Sequence, residues 1–453
     1  MAQFDTTTFK GQRLDRSDFW LWCKWFPLML VAFWILFVTY HWTDQGHLLG
    51  GAAVLADGLG KFLDFSYTWT LAMVGALLVV AARRHAYPLV VGLVSMAFYI
   101  RHAPVFALYF LVVTLAMYPL TRWRWRGRGV VFWLLLALFT LGLPKWLYHE
   151  AYHFPGWWGW LDDIGLTGLL LRYAYYDYEI RKGIITPVGY FEHLGYMAFI
   201  PQITANLNFS PSAQWKDAGN YPAVYTRAWK LYALALGKVL VFKLMSLHRP
   251  DVWSSESGVV VIWAGAIWLH IQWFLWLSLH YDLSIAFCRF LGADLPQNFR
   301  YPLLAPSFIE QWRRWNIFNR KLLLKLIYFP LGGSTRHRFR NVLIVFLASA
   351  VVLHSGWFAT KWPTVNLEYA LAWILYALCM AAGVCWNMWN RDRLGLDARY
   401  VPTGWTYVRS WLVTQLLLAW LSLLVMGTGC MPGDTRVPLD QRLATLARAV
   451  GWR

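Results

Sequence analysis

Residues 306–357, PSFIEQWRRWNIFNRKLLLKLIYFPLGGSTRHRFRNVLIVFLASAVVLHSGW, decide how this chain is read. The stretch opens amphipathic and basic and turns at Pro330-Leu331-Gly332-Gly333. It then passes Arg336, Arg338 and Arg340 and enters an apolar run that carries one histidine, His354. His354 lies 12 residues beyond Val342, so at ~1.5 Å of rise per residue its ring is roughly 18 Å along a helix that begins beside Arg338 and Arg340. The hydrocarbon core of a bilayer is about 30 Å thick, which puts the imidazole deep inside it.

Composition requires a membrane for that reading. The 453-residue chain is 58% hydrophobic and 14% charged, against about 25% charged residues in soluble domains. A soluble surface cannot be assembled from this pool, so the chain reads as an integral membrane protein. Its 31 Trp and 24 Tyr suit the two headgroup interfaces of many short-looped spans, with core packing accounting for the rest. The net charge of +18 comes from Lys and Arg clustered briefly between apolar runs. Positive-inside topology explains that placement without nucleic acid. Cys23, Cys288, Cys379, Cys385 and Cys430 have no CxxC or metal-like spacing and read as free thiols. Residues 1–24 carry Lys10, Arg13, Arg16 and Lys24 with no small-residue cleavage site after them, and are expected to form a cytoplasmic tail.

Apolar runs follow at 25–42, 68–82, 87–100, 105–120 and 130–147, and the cationic loops at 83–84 and 122–128 fall on the same side as the N-terminus. The loop at 149–163 has acids and aromatics but no Lys or Arg, and reads as external. The runs 164–176, 190–205 and 229–247 are short or interrupted by ionisable residues. The run 259–290 has 32 residues, roughly 48 Å as one helix, and holds His270, Gln272, His280, Asp282 and Arg289. Ionisable groups at membrane depth face cavities or partners, so this helix is expected to face a polar interior. Spans at 342–357, 369–388 and 407–426 complete the series. The expected fold is an all-α polytopic membrane protein with about 10–12 transmembrane helices, plus re-entrant or interfacial helices around a central polar tunnel. Residues 25–430 would form one transmembrane domain, and 431–453 an amphipathic C-terminal tail lying on the surface.

Glu310, Gln311, Arg313, Arg314, Asn316, Asn319, Arg320, Lys321 and Lys325 crowd a segment too polar to span and too apolar for a free loop. Such a segment lies at an interface or lines a wet cavity. For Asn316 two readings stand side by side, a helix cap and a reaction-site amide. For the arginines the alternatives are topological anchors and phosphate ligands, and for Tyr281 and Asp282 an internal hydrogen bond and a tunnel lining. His270, His280 and Asp282 lack metal-ligand spacing.

Six motifs, in order, resemble the membrane-bound O-acyltransferases. They are His280-Tyr-Asp-Leu-Ser-Ile-Ala286, Phe290-Leu-Gly292, Pro296-Gln-Asn-Phe299, Ser307-Phe-Ile-Glu-Gln-Trp-Arg-Arg-Trp-Asn316, Tyr328-Phe-Pro-Leu-Gly-Gly333 and Leu353-His-Ser-Gly356. The block 270–357 is most similar to the bacterial branch of alginate O-acetyltransferases and the teichoic-acid D-alanylation protein. Asn316 stands where that branch carries His, and Leu353-His354-Ser355-Gly356 stands for Trp-His-Gly. Thr204-Ala205-Asn206-Leu207 replaces an upstream Ala-Gly-Pro. An Asn/His pair is within the family's range.

The resemblance implies an O-acyltransferase of a bacterial cytoplasmic membrane. It would take an acetyl, D-alanyl or similar group from acyl-CoA or an acyl carrier protein, with no bound cofactor or metal, to an extracytoplasmic polysaccharide, a lipid or a relay partner. His354 and Asn316 would be catalytic, with Tyr281, Asp282, Gln311, Trp312, Arg313, Arg314, Trp315, Tyr328 and Ser355 binding substrate or donor. His354 and Asn316 meet only if the Pro330–Gly333 turn folds the chain back on itself. A transporter or channel using the same polar tunnel is the reading from another class.

Overall fold

The computed structural model describes residues 104–122, 128–139, 166–199, 209–215, 221–290, 293–354, 367–397, 400–427 and 437–452, with a few positions between 89 and 100. The expected tail at 1–24, the runs at 25–42 and 68–82, the loop at 149–163, Cys23 and Cys430 lie outside them. Among the described residues every regular element is a helix. They fall in two compact units, Met1–Leu236 with Asp282–Pro296, and Gly237–Tyr281 with Gln297–Arg453.

The first unit contains α1 (Pro104–Arg122), α2 (Arg128–Ala137), α3 (Leu166–Arg181), α4 (Tyr190–Met197) and α5 (Pro211–Trp215). Phe110, Val113 and Met117 of α1 are buried with Phe132, Leu136, Tyr173 and Tyr176. On its other side α1 exposes Leu108, Val112 and Leu115, the outward apolar face that hydrocarbon accepts and water penalises. Buried polar groups here are met internally. Arg172 donates to the Met197 carbonyl, and Glu179 accepts from Ser212 N at 3.1 Å and Ser212 Oγ at 2.9 Å.

Two long helices follow, α6 (Tyr221–Leu247) and α7 (Val259–Phe290), the second with the expected bounds. The stretch Val259–Ala286 and, later, Ala370–Arg393 are long and apolar enough to cross a membrane. The chain is thus a helical membrane protein.

The second unit adds α8 (Phe308–Arg314), α9 (Ile317–Leu323) and a π turn at Leu324–Tyr328. Then come α10 (Arg338–Ala348), a second π turn at Ser349–His354, α11 (Leu367–Arg393), α12 (Gly404–Ser422) and α13 (Leu439–Ala449). Their shared core holds Trp273, Phe308, Val342, Phe346, Trp373, Met380, Leu418 and Leu446.

The expected fold-back is present. Gly332 and Gly333 take φ of +100° and +57°, left-handed conformations that only glycine adopts freely, and the chain reverses there. α10 then packs on the first π turn. The reversal is held by Asn341, fully buried on α10, whose Nδ2 donates to the carbonyls of Arg336 (2.6 Å), Gly333 (2.9 Å) and Leu331 (3.2 Å).

α12 secures the loop before α8 in the same manner. Tyr407, Trp411 and Gln415, four residues apart on one face, donate to the carbonyls of Leu304, Leu303 and Ala305, the last two at 2.7 and 3.0 Å. The C-terminal tail does form a helix, but it does not simply lie on the surface. Arg442 is turned inward, 1% exposed, and donates to the Leu424 carbonyl just past α12. Arg448 donates to Ser254 and Ser255 carbonyls at 2.7 and 2.9 Å, while Leu443, Val450 and Trp452 are exposed. The arginines are drawn inward because carbonyls left open beside helix ends need donors.

Replacing Asn341 by leucine removes the donor that serves three carbonyls. An orphaned buried acceptor costs roughly 1–3 kcal/mol, so Asn341→Leu is expected to lose about 2–4 kcal/mol. A lower unfolding midpoint in detergent would register it, and an unchanged midpoint would contradict the role given to this side chain.

Candidate functional site

A cavity of about 280 Å³ lies in the second unit. Trp273, Trp276, Leu277 and Tyr281 present one face of α7 to it, at helical spacing. Opposite them are Gln311 and Trp312 of α8, Trp315 and Asn316 at the α8–α9 junction, and Asn319 and Arg320 of α9. Phe346, Ser349 and Ala350 of α10 and its π extension, with Trp373, Ala377 and Met380 of α11, close the remaining wall.

The junction is built by short-range hydrogen bonds. Ser307 caps α8, its Oγ accepting from Glu310 N at 3.1 Å, as the Ser-x-x-Glu spacing announces. Asn316 caps α9 from a left-handed conformation, φ +41°, its Oδ1 accepting from Asn319 N at 3.4 Å and from Asn298 Nδ2 at 3.0 Å. The cap reading of Asn316 therefore accounts for its oxygen and leaves the Nδ2 hydrogens for other acceptors. The Tyr281 hydroxyl lies in hydrogen-bonding reach of the same side chain.

Asn298 is fully buried, and its own Oδ1 accepts from Phe318 N at 2.9 Å. The sequence reading passed over its role, although it sits in the quoted Pro296–Phe299 motif.

α8 is pressed against α11 at Gly383. A Cβ there would meet the Phe308 ring at 2.6 Å, so glycine is what lets the two helices approach. One turn along α11, Asn387 Oδ1 accepts from Phe308 N at 2.9 Å.

Of the residues expected at the site, Tyr281, Gln311, Trp312, Trp315 and Asn316 are brought together on the cavity wall. Arg313 and Arg314 are not. Both bind Glu310, at 2.7 and 3.3 Å, and Arg314 also donates to the Leu304 carbonyl at 3.1 Å. Tyr328 ends the first π turn, half-buried against Phe329 and away from the cavity. Asp282 is buried and belongs to the other unit, in electrostatic range of Arg289. His354 is the last residue of the second π turn, whose first residues Ser349 and Ala350 line the cavity. Ser355 lies outside the described residues.

Trp276 and Arg320 are among the cavity residues that were not singled out from the sequence as site residues. Trp276 places its indole Nε1, and Arg320 its Nε, in buried positions without an acceptor, and Gln311 Oε1 is buried without a donor. Burial, then the cations Arg313 and Arg300, lowers the Arg320 pKa from the ordinary arginine value. Lys321 beside it is lowered by burial, then by Arg320, Arg300 and Lys325. The α8–α9 region is thus strongly electropositive.

No family model matches the chain. Individual relatives do. The probable alginate O-acetylase AlgI of Pseudomonas putida is 27% identical over 157 residues, 32% of this chain and 27% of the relative. The probable long-chain-alcohol O-fatty-acyltransferase 9 of Arabidopsis thaliana is 29% identical over 110 residues, 22% of this chain and 32% of the relative. Membrane-bound O-acyltransferase GUP1 of Candida tropicalis is 23% identical over 226 residues, 44% of this chain and 38% of the relative. The chain spans between 27% and 38% of the length of the curated relatives it matches. These matches bear out the resemblance carried by the motifs: over the matched stretch the chain is similar to the membrane-bound O-acyltransferases.

Gly383→Val would drive a side chain into the Phe308 ring. Overpacking of this kind costs typically 1–3 kcal/mol, so the variant is expected to unfold at lower temperature. Gly383→Val with the additional change Phe308→Ala should recover part of the loss, and no recovery in that pair would show that the contact is not what Gly383 protects.

Proposed function

We propose that the protein is a membrane-bound O-acyltransferase that moves an acyl group from a thioester to a hydroxyl. The observation that carries this reading is the cavity itself. It gathers Asn316, Tyr281 and Gln311, and its wall continues at Ser349 and Ala350 into the π turn that ends at His354. Single π turns of this kind recur at functional sites. Relatives that are similar over part of the chain are named for acetyl and fatty-acyl transfer to oxygen.

In the proposed reaction His354, as a neutral imidazole, takes the proton of the acceptor hydroxyl. The oxygen then attacks the thioester carbonyl, and the Nδ2 of Asn316 donates to the oxyanion that forms. Collapse breaks the C–S bond, the imidazolium returns its proton to the thiolate, and an ester and a free thiol leave. Asn298 acts as a positioning residue, since it holds the Asn316 oxygen and so aims the amide nitrogen.

The proposed setting is a bacterial cytoplasmic membrane crossed about ten to twelve times around a polar tunnel. The donor would be acyl-CoA or an acyl carrier protein on the cytoplasmic side, and the acceptor an envelope polysaccharide or a relay partner outside. A second reading, acylation of a lipid or long-chain alcohol in the bilayer, is favoured by the plant relative's name.

Membranes supplied with radiolabelled acyl-CoAs test this. Label should enter a glycan fraction, or a lipid extract on the second reading. His354→Ala should lower transfer by at least roughly 10³-fold, the upper part of the range for a lost general base. Asn316→Asp keeps the oxygen that caps α9 and removes the donor, and should cost about 10²–10³-fold. Transfer unaffected by His354→Ala would overturn the mechanism. Solute flux without thioester consumption would replace the enzyme by a transporter.

A further inference from the structure

The cavity has a charge asymmetry that the reaction does not require. Among the described residues that line it there is no carboxylate, yet one of them is an arginine. Arg320 reaches its wall from α9 with Nε buried and without an acceptor. The acid in electrostatic range, Glu310, is already held by Arg313 and Arg314, while Arg300 and Arg313 add like charge. Arginine does not lose its proton in proteins, so the charge persists.

Five indoles, Trp273, Trp276, Trp312, Trp315 and Trp373, also line this space. Such a cage would ordinarily attract a cation. Here each ring already has an aromatic neighbour, Trp273 standing 5.2 Å from Trp315 and 6.0 Å from Trp373, Trp276 4.9 Å from His280 and Trp312 5.3 Å from Phe346 between centroids. What remains of that attraction contributes roughly 2- to 30-fold. A cavity of this volume is about 8 Å across, so an ammonium inside it lies within roughly 8 Å of a guanidinium on its wall, a repulsion of about 30-fold or more at an effective dielectric of about 20. Repulsion is the larger effect.

We infer that Arg320 is a charge filter on the acyl group, so that the cavity takes neutral acyl thioesters and rejects aminoacyl thioesters that carry an ammonium. The inference rests on the acyl-transfer reading above and narrows its donor. Arg320 is a specificity-determining residue in this scheme, with no part in bond making. The indole N–H of Trp276, also without an acceptor, fits the same ligand, whose carbonyl groups accept and do not donate.

The matched probes are isobutyryl and alanyl donors, which have the same shape and differ by a methyl in place of an ammonium. Radiolabelled thioether analogues, which bind but cannot transfer, are measured against the full chain in detergent. At a pH about one unit below the usual α-amino value of about 8, the wild type should bind the isobutyryl analogue at least ~10-fold more tightly. Arg320→Lys should keep the preference, and Arg320→Gln should bring the two within ~3-fold. In the wild type itself, raising the pH about one unit above that value neutralises the amine, and the alanyl analogue should then approach the isobutyryl one.

Equal or tighter alanyl binding in the wild type at the lower pH overturns the filter. So does a preference that survives Arg320→Gln or the higher pH, and so does failure of both analogues to bind. The acyl-transfer reading is judged separately, by label reaching a hydroxyl acceptor. A charge preference without any transfer would leave the filter standing and remove the enzyme.

Discussion

Carbonyl groups in apolar surroundings must find donors inside the protein, and in the second unit side-chain amides and indoles supply them where helices break. Asn341 serves three carbonyls of the reversal, and Asn298 and Asn316 join the α8–α9 junction. Tyr407, Trp411 and Gln415 hold the loop that leads into α8. The cavity exists because these short, broken elements can be held together at all. A continuous helix would satisfy its own carbonyls and leave no concave wall.

Much of this was legible beforehand, for identifiable reasons. The length and apolar character of residues 259–290 set the bounds of α7, and the Pro-Leu-Gly-Gly run marked the reversal. Glu310 with Arg313 and Arg314 sits at the i, i+3 and i+4 spacing that pairs charges on one helix, which explains why those two arginines are held away from the cavity. The roles of Asn298 and Asn341 were not legible. Asn341 bonds backbone carbonyls, and Asn298 bonds a backbone N–H and the Asn316 amide from 18 residues away, so nothing in a local side-chain pattern points to either. Gly383 is equally silent, because its meaning depends on a ring from another helix. The inward turn of Arg442 was missed because an alternating apolar and basic helix reads the same whether its arginines face water or open carbonyls.

Within the site, the distinction between Arg313 and Arg320 matters most. Both belong to one basic run, and charge counting treats them alike. Only the geometry separates an arginine neutralised by its own helix from one that reaches a cavity wall with its Nε buried and without an acceptor. The electropositive character of the α8–α9 region is therefore local and directional, and a tally of cations along the sequence cannot express it.

The π turn from Ser349 to His354 has a consequence for how this part of the chain can vary. A π turn accommodates one residue more than an α turn, and each residue added to or removed from a regular helix rotates everything beyond it by about 100°. A single-codon deletion inside 349–354 would let the segment relax into plain α-helix while keeping every apolar side chain type. It would leave position 354 close to its present direction, because the wide turn is what absorbs the extra residue, whereas the same six residues rewound as plain α-helix would carry that position about a quarter-turn around the axis. The phase of position 354 therefore depends on the turn staying wide, so a substitution in Ser-Ala-Val-Val-Leu-His that tightens it into plain α-helix disturbs the register more than the loss of one residue does.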